Sequence, residues 1–155
     1  MLITHQKGAT QRQRGFSLVE VLIALVIMSV GMLGIAGLFV QSMQAGRTSM
    51  FRHHAVTLAG DVADRIRANP TAGAVYMGGG TDAGCVAQGV DCSELEMATH
   101  DIFLWAQQAT DTLPNGQIEI TFDDAAMPPT YGIKVSWDEP GENLDYTINI
   151  PVLGI

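Results

Sequence analysis

The sequence predicts an α+β fold in which a long N-terminal helix packs on a small antiparallel sheet with one extra helix. Three observations predict it. An uncharged run from Val21 to Gly46 passes into an apolar face of three- and four-residue spacing that ends near Pro70. A serine followed three residues later by glutamate, Ser93-Glu94-Leu95-Glu96, opens a second helical pattern. Three segments after residue 116 then alternate apolar and polar residues, as half-buried strands do.

The first element divides into two halves. Val21 to Val40 is apolar apart from Ser29, and about 20 such residues at a rise of about 1.5 Å each cross a bilayer core as helix. Farther on, Phe51, Ala55, Leu58, Ala59, Val62 and Ile66 line one face, while Arg47, Arg52, Thr57, Asp61, Asp64 and Arg65 fall largely on the others. Asn69-Pro70 is the stop, because a residue before proline disfavours helical backbone. A helix from Ser17 to Arg67 would extend about 76 Å. Its first half suits lipid or a filament core; its second half suits packing against a soluble domain.

Residues 71–92 are rich in glycine, and Gly78-Gly79-Gly80 lacks the Lys-Ser/Thr of a phosphate loop. The run reads as a mobile surface loop. The helix opened by Ser93 would carry Leu95, Ala98, Ile102, Trp105 and Ala109 on one face, with Leu113-Pro114-Asn115-Gly116 as its closing turn. The strands read as Ile118, Ile120, Phe122; then Ile133, Val135, Trp137; then Leu144, Tyr146, Ile148, Ile150. Turns fall at Asp123 to Pro129 and Asp138 to Asn143.

Charge sets orientation and excludes functions. The 155 residues carry a formal net charge of −8, and beyond Arg67 only Lys134 is basic, against thirteen carboxylates. So acidic a head argues against nucleic-acid binding, which needs a basic surface. Lys7, Arg12 and Arg14 are the only basic cluster on the N-terminal side of the apolar run. The positive-inside rule puts them in the cytoplasm and the head across the inner membrane, in the periplasm. Cys85 and Cys92 then meet an oxidising compartment, where a disulfide is the default and two free thiols the alternative. Six residues between them is too long for a redox C-x-x-C pair, so the role assigned is structural.

Catalysis finds no support. His53 and His54 are adjacent on a helix and point to different faces, and His5 and His100 stand alone. No nucleophile elbow, zinc-protease motif or catalytic carboxylate pair is present. No cofactor is expected, and calcium at Asp123-Asp124 or Asp138-Glu139 is the one metal reading left open. The expectation is a non-enzyme.

The most specific signal is Arg14-Gly15-Phe16-Ser17-Leu18-Val19-Glu20. Small residues of a secretory cleavage site do not follow the apolar run, so the cut lies before it. Gly15, Phe16, Ser17, Leu18, Glu20 and Val21, continued by Leu22-Ile23-Ala24-Leu25, resemble the type IV pilin and pseudopilin family. The resemblance implies a pilin-like fold and cutting by a prepilin peptidase between Gly15 and Phe16. It also implies N-methylation of Phe16, and pairing of Glu20 with a neighbouring subunit's terminal amine during assembly. It divides the chain into a leader (1–15), a transmembrane and filament-core helix (16–46) and a periplasmic or extracellular head (47–155). Pilins often carry a helix-breaking proline at the position of Gly37; here Gly31, Gly34 and Gly37 mark the segment expected to bend or melt on packing.

Asp64-Arg65-Ile66-Arg67-Ala68-Asn69-Pro70 and Leu113-Pro114-Asn115-Gly116 are similar to the pilus-modification minor pilins of the PilV type. Both cysteines precede the strands, whereas major pilins usually close a C-terminal loop with their disulfide. The resemblance thus implies a minor pilin that primes assembly, with other minor pilins, the major pilin and an inner-membrane assembly platform as partners. A minor pseudopilin of type II secretion and a signal-anchored periplasmic binding domain are the alternatives.

Overall fold

The computed structural model describes residues 15–87 and 89–152. The basic leader residues Lys7, Arg12 and Arg14 and the expected leader as far as residue 14 lie outside the described residues. Helix α1 runs Leu18–Ala68, within a residue of the predicted span at each end. The chain divides into two compact units at Met43–Gln44, so α1 contributes to both.

In the first unit every residue from Gly15 onward is exposed, and no polar group interrupts the apolar surface between Val21 and Val40 except Ser29. Ser29 returns its hydroxyl proton to the carbonyl of Val26 at 2.8 Å, so even this side chain is satisfied within the helix. Among the described residues this is the one helix long and apolar enough to cross a membrane, by length and composition.

In the second unit α1 buries Ala55, Leu58, Ala59, Val62, Ala63 and Ile66. All but Ala63 were on the predicted face, and Phe51 packs at its margin. After Ala68 the chain does not go straight into a loop. A short 3-10 helix, Pro70–Met77, follows with Pro70 in its first turn, where a missing N–H costs nothing. It buries Ala72 and Tyr76, and Tyr76 stacks on Trp105 with ring centroids 5.7 Å apart. Glycine and alanine masked this element in the sequence.

Helix α2 spans Glu94–Thr112 and starts as expected. The Ser93 hydroxyl accepts from the Glu96 amide at 3.3 Å, and the Glu96 carboxylate accepts from the Ser93 amide at 2.9 Å. Ala98, Ile102, Trp105 and Ala109 are buried, but Leu95 is 51% exposed. Leu95 lies in the first turn, ahead of the core; His100 and Asp101 are buried instead. The Gly78–Gly80 run is also less free than its composition suggests. The Thr81 amide donates to the carbonyl of Thr99 at 3.0 Å, and a Cβ at Gly80 would collide with the α2 backbone at Ile102-Phe103.

The sheet is the predicted antiparallel meander, β1 (Gln117–Asp123), β2 (Thr130–Glu139) and β3 (Glu142–Pro151), in the order β1-β2-β3. Ile118 faces Val135 and Ile120 faces Ile133, while Val135 faces Tyr146 and Trp137 faces Leu144. Tyr131, Ile133, Val135 and Trp137 are buried at every second position of β2. The second turn is tighter than predicted. Glu139 pairs with Glu142, so only Pro140-Gly141 connect the strands, with Gly141 at φ 96°, a region open to glycine.

Candidate functional site

The expected processing and assembly junction sits where coil becomes helix. Gly15, Phe16 and Ser17 precede α1, and Phe16 is 81% exposed. The Ser17 carbonyl accepts from the amides of Glu20 at 3.0 Å and Val21 at 3.2 Å, which opens the helical ladder. The bond expected to be cut, between Gly15 and Phe16, therefore lies in exposed backbone ahead of the helix. Glu20 occupies the first helical turn, where unpaired amides favour a carboxylate. It is exposed and makes no ion pair with any described residue.

Gly31, Gly34 and Gly37 all lie within α1, and a Cβ at each would meet nothing within 4 Å. The three form a strip of bare backbone on an otherwise bulky apolar surface. Cys85 and Cys92 are joined as a disulfide, with Cα atoms 5.7 Å apart. It closes a small loop between the Gly78–Gly80 run and the Ser93 cap.

The head is held together by polar contacts across long sequence separations, and none was visible in the sequence. Arg65 of α1 lies 2.7 Å from the buried Asp101 of α2 and 3.4 Å from Asp61 one turn back. Trp105 Nε1 donates to Asp61 at 3.3 Å, so two helices share one network. At the β2–β3 turn, Glu139 accepts from the Thr48 hydroxyl of α1 at 2.5 Å and from Trp137 Nε1 at 3.1 Å. These two bonds, with weaker help from Arg52 and Arg47, hold its carboxyl below the usual glutamate range. Asp138 is likewise lowered, by donation from Asn115 and then Asn143. Burial pushes the phenols of Tyr76 and Tyr131 up, and Tyr131 donates to the Gly73 carbonyl at 2.7 Å.

No group of three or more histidine, cysteine or carboxylate side chains is placed to hold a metal ion among the described residues. At Asp138-Glu139 the carboxylates are engaged by Asn115, Asn143, Thr48 and Trp137. His53 and His54 lie with ring centroids 6.3 Å apart at 49°. His100 is buried, with Nδ1 3.2 Å from Asp82 but off the line of a hydrogen bond.

The chain thus joins a helix long and apolar enough to cross a membrane to a helix-on-sheet head. Residues 10–36 match the family model of the prokaryotic N-terminal methylation motif, and residues 37–103 match that of type IV pilin Tt1218. The two adjoining matches support a type IV pilin family for this chain, and with it a pilin or pseudopilin function. Such a function implies assembly with other pilins on a membrane platform. The second match stops within α2, so the sheet lies beyond both. No curated protein and no solved structure matches the chain significantly.

Proposed function

We propose that the chain is a minor pilin of a type IV pilus, made as a prepilin and cut between Gly15 and Phe16. Phe16 then becomes the N-methylated terminus of a helix held in the inner membrane with its head in the periplasm. The subunit takes part in priming assembly and enters the fibre. The observation that carries this reading is Gly15-Phe16-Ser17-Leu18-Val19-Glu20 set at the start of a helix whose apolar first half, as far as Met43, is exposed at every residue. Its catalytic partner is a prepilin peptidase, and its binding partners are other minor pilins, the major pilin and the assembly platform. No catalytic role is assigned to the chain itself.

Cleavage would place a positive amine at Phe16, four residues from the Glu20 carboxylate. In a low-dielectric bundle of helices, Glu20 pairs with the amine of a neighbouring subunit. A subunit out of register leaves a charge unpaired, at a cost of several kcal/mol. The position of Cys85–Cys92, ahead of the strands rather than at the C-terminus, favours a minor over a major subunit.

The deciding experiment is intact mass and N-terminal sequencing of the protein from native membranes and sheared filaments. A chain starting at N-methylated Phe16 in the filament fraction is the expected result. A chain starting at Met1 and confined to membranes would instead point to an anchored periplasmic domain, which would also tolerate Glu20→Ala. Deletion separates the two machines: a pilus subunit costs piliation or twitching, a pseudopilin costs protein secretion.

A further inference from the structure

Arg47 and Glu139 line one cleft without pairing to each other. The cleft, about 390 Å³, is bounded by Gln44, Arg47, Thr48, Phe51, Glu139 and Pro140. Arg47 makes no ion pair with any described residue; its guanidinium carbon sits 6.0 Å from the Phe51 ring centroid. Glu139 spends one oxygen on Thr48 and the other on Trp137. A carboxylate has roughly four acceptor positions, so about two remain. One wall thus offers a cation and another an anion; Arg52 and Arg47 both lie near enough to favour the Glu139 charge, but neither closes an ion pair with it.

The position of the cleft along α1 narrows the class of ligand. In the sequence the wholly apolar run ends at Val40, and Arg47 lies only seven residues beyond it. The headgroup layer adds about 5–8 Å to each side of the hydrocarbon core, and an arginine side chain reaches back toward it. A phosphate fits Arg47 as a charge-assisted partner. Phosphate alone would leave Glu139 facing a like charge, whereas an ammonium carrying N–H groups completes it. A choline headgroup has the charge but no proton to donate.

We propose that this cleft binds the headgroup of an ethanolamine phospholipid, with the phosphate on Arg47 and the primary ammonium on Glu139. The lipid holds the head against the outer face of the inner membrane before the subunit leaves it. This inference rests on the reading of the apolar helix as a membrane span.

The test uses the full chain reconstituted with equal parts dioleoyl phosphatidylethanolamine, phosphatidylglycerol and phosphatidylcholine. Vesicle flotation comes first, then native mass spectrometry of the lipids retained. The expected result is a preference of about fivefold for phosphatidylethanolamine, the scale of one charge-assisted contact at a partly exposed site. Glu139→Gln, which keeps an acceptor for Thr48, removes the preference; Arg47→Gln lowers retention of all three lipids. A chain that floats but retains the three lipids alike overturns the cleft and spares the membrane reading. A preference that survives both substitutions also overturns it, since the lipid is then held by the apolar helix alone. A chain that does not float overturns both.

Discussion

Arg65 on α1 sets its guanidinium 2.7 Å from the carboxylate of Asp101 on α2, and the Asp101 side chain is only 4% exposed. The arginine is 43% exposed and reaches in from the edge, so one buried charge is neutralised by a partner that keeps contact with water. Asp61 completes the arrangement by accepting from Trp105 Nε1 on α2 while lying 3.4 Å from Arg65. An amphipathic face explains why α1 and α2 pack; this network fixes how.

Removing Arg65 would strand Asp101 in the core. Breaking a fully buried pair costs about 3–5 kcal/mol, and the half-exposed arginine reduces that to about 2 kcal/mol for Arg65→Leu. Asp101→Asn should cost less, because an amide still meets the guanidinium. Denaturant unfolding of the full chain in detergent gives both values, and the double variant should fall short of their sum. Strict additivity would mean that the two side chains are neighbours without coupling.

The turn between β2 and β3 should make the head sensitive to acid. Asp138 is lowered by hydrogen bonds from Asn115 and then Asn143, and Glu139 by those from Thr48 and Trp137. A carboxylate lowered in the folded state stabilises it above its unfolded value. That contribution is lost as pH falls through the folded value, so the loss begins below about pH 4.5. Glu96 behaves the same way through its bonds with Ser93. Melting temperature against pH should therefore fall more shallowly in Asn115→Ala and Asn143→Ala than in the parent chain. Identical acid slopes would remove Asp138 from the account.

The Ser93 cap has its own signature. Both halves of the capping box are formed, so Ser93→Ala should cost about 1 kcal/mol, near the usual value for losing such a cap. Hydrogen exchange should speed up chiefly at the Glu96 and Met97 amides, which lean on Ser93. Loss of protection spread evenly over α2 would indicate that the cap matters only through global stability.

How much of this was legible in the sequence depends on how far apart the partners are. The Gly15 to Glu20 junction is a linear pattern, and the methylation motif matched over residues 10–36 could be read from it. The Ser93–Glu96 box spans three residues, and the alternation in β2 belongs to one strand, so both could be read as well. Arg65 and Asp101 stand 36 residues apart, and Thr48 and Glu139 stand 91 apart. No local period relates them. Leu95 was assigned to a buried face because periodicity gives direction around a helix but not where along it the core begins. Tyr76 went unnoticed because its helix is made of residues that usually mark loops.

The disulfide should stabilise the head without shaping its core. Cys85 and Cys92 close a ring of about eight residues, which corresponds to about 2.5 kcal/mol of lost entropy in the unfolded chain. Cys85→Ser with Cys92→Ser should lower stability by up to that amount while leaving the near-ultraviolet signal of Trp105 and Trp137 unchanged. A lost aromatic signal would show that the loop helps to form the core, through the contacts of Gly80 and Thr81 with α2.

The three glycines of the apolar half give a test that separates compliance from packing. Each costs roughly 0.8–1 kcal/mol of helix propensity relative to alanine, so Gly31, Gly34 and Gly37 together weaken the segment by about 2–3 kcal/mol. In the isolated subunit they are nonetheless helical, and an added methyl at each meets nothing within 4 Å. The triple Gly→Ala variant should therefore fold, insert and be cut at Gly15–Phe16 normally, with slower amide exchange across residues 31–37. If the segment must bend or melt when helices pack into a fibre, the stiffened variant should accumulate in membranes and be depleted from sheared filaments. Incorporation equal to that of the parent chain would reject compliance. Restoring incorporation by returning Gly37 alone would locate the bend at that residue.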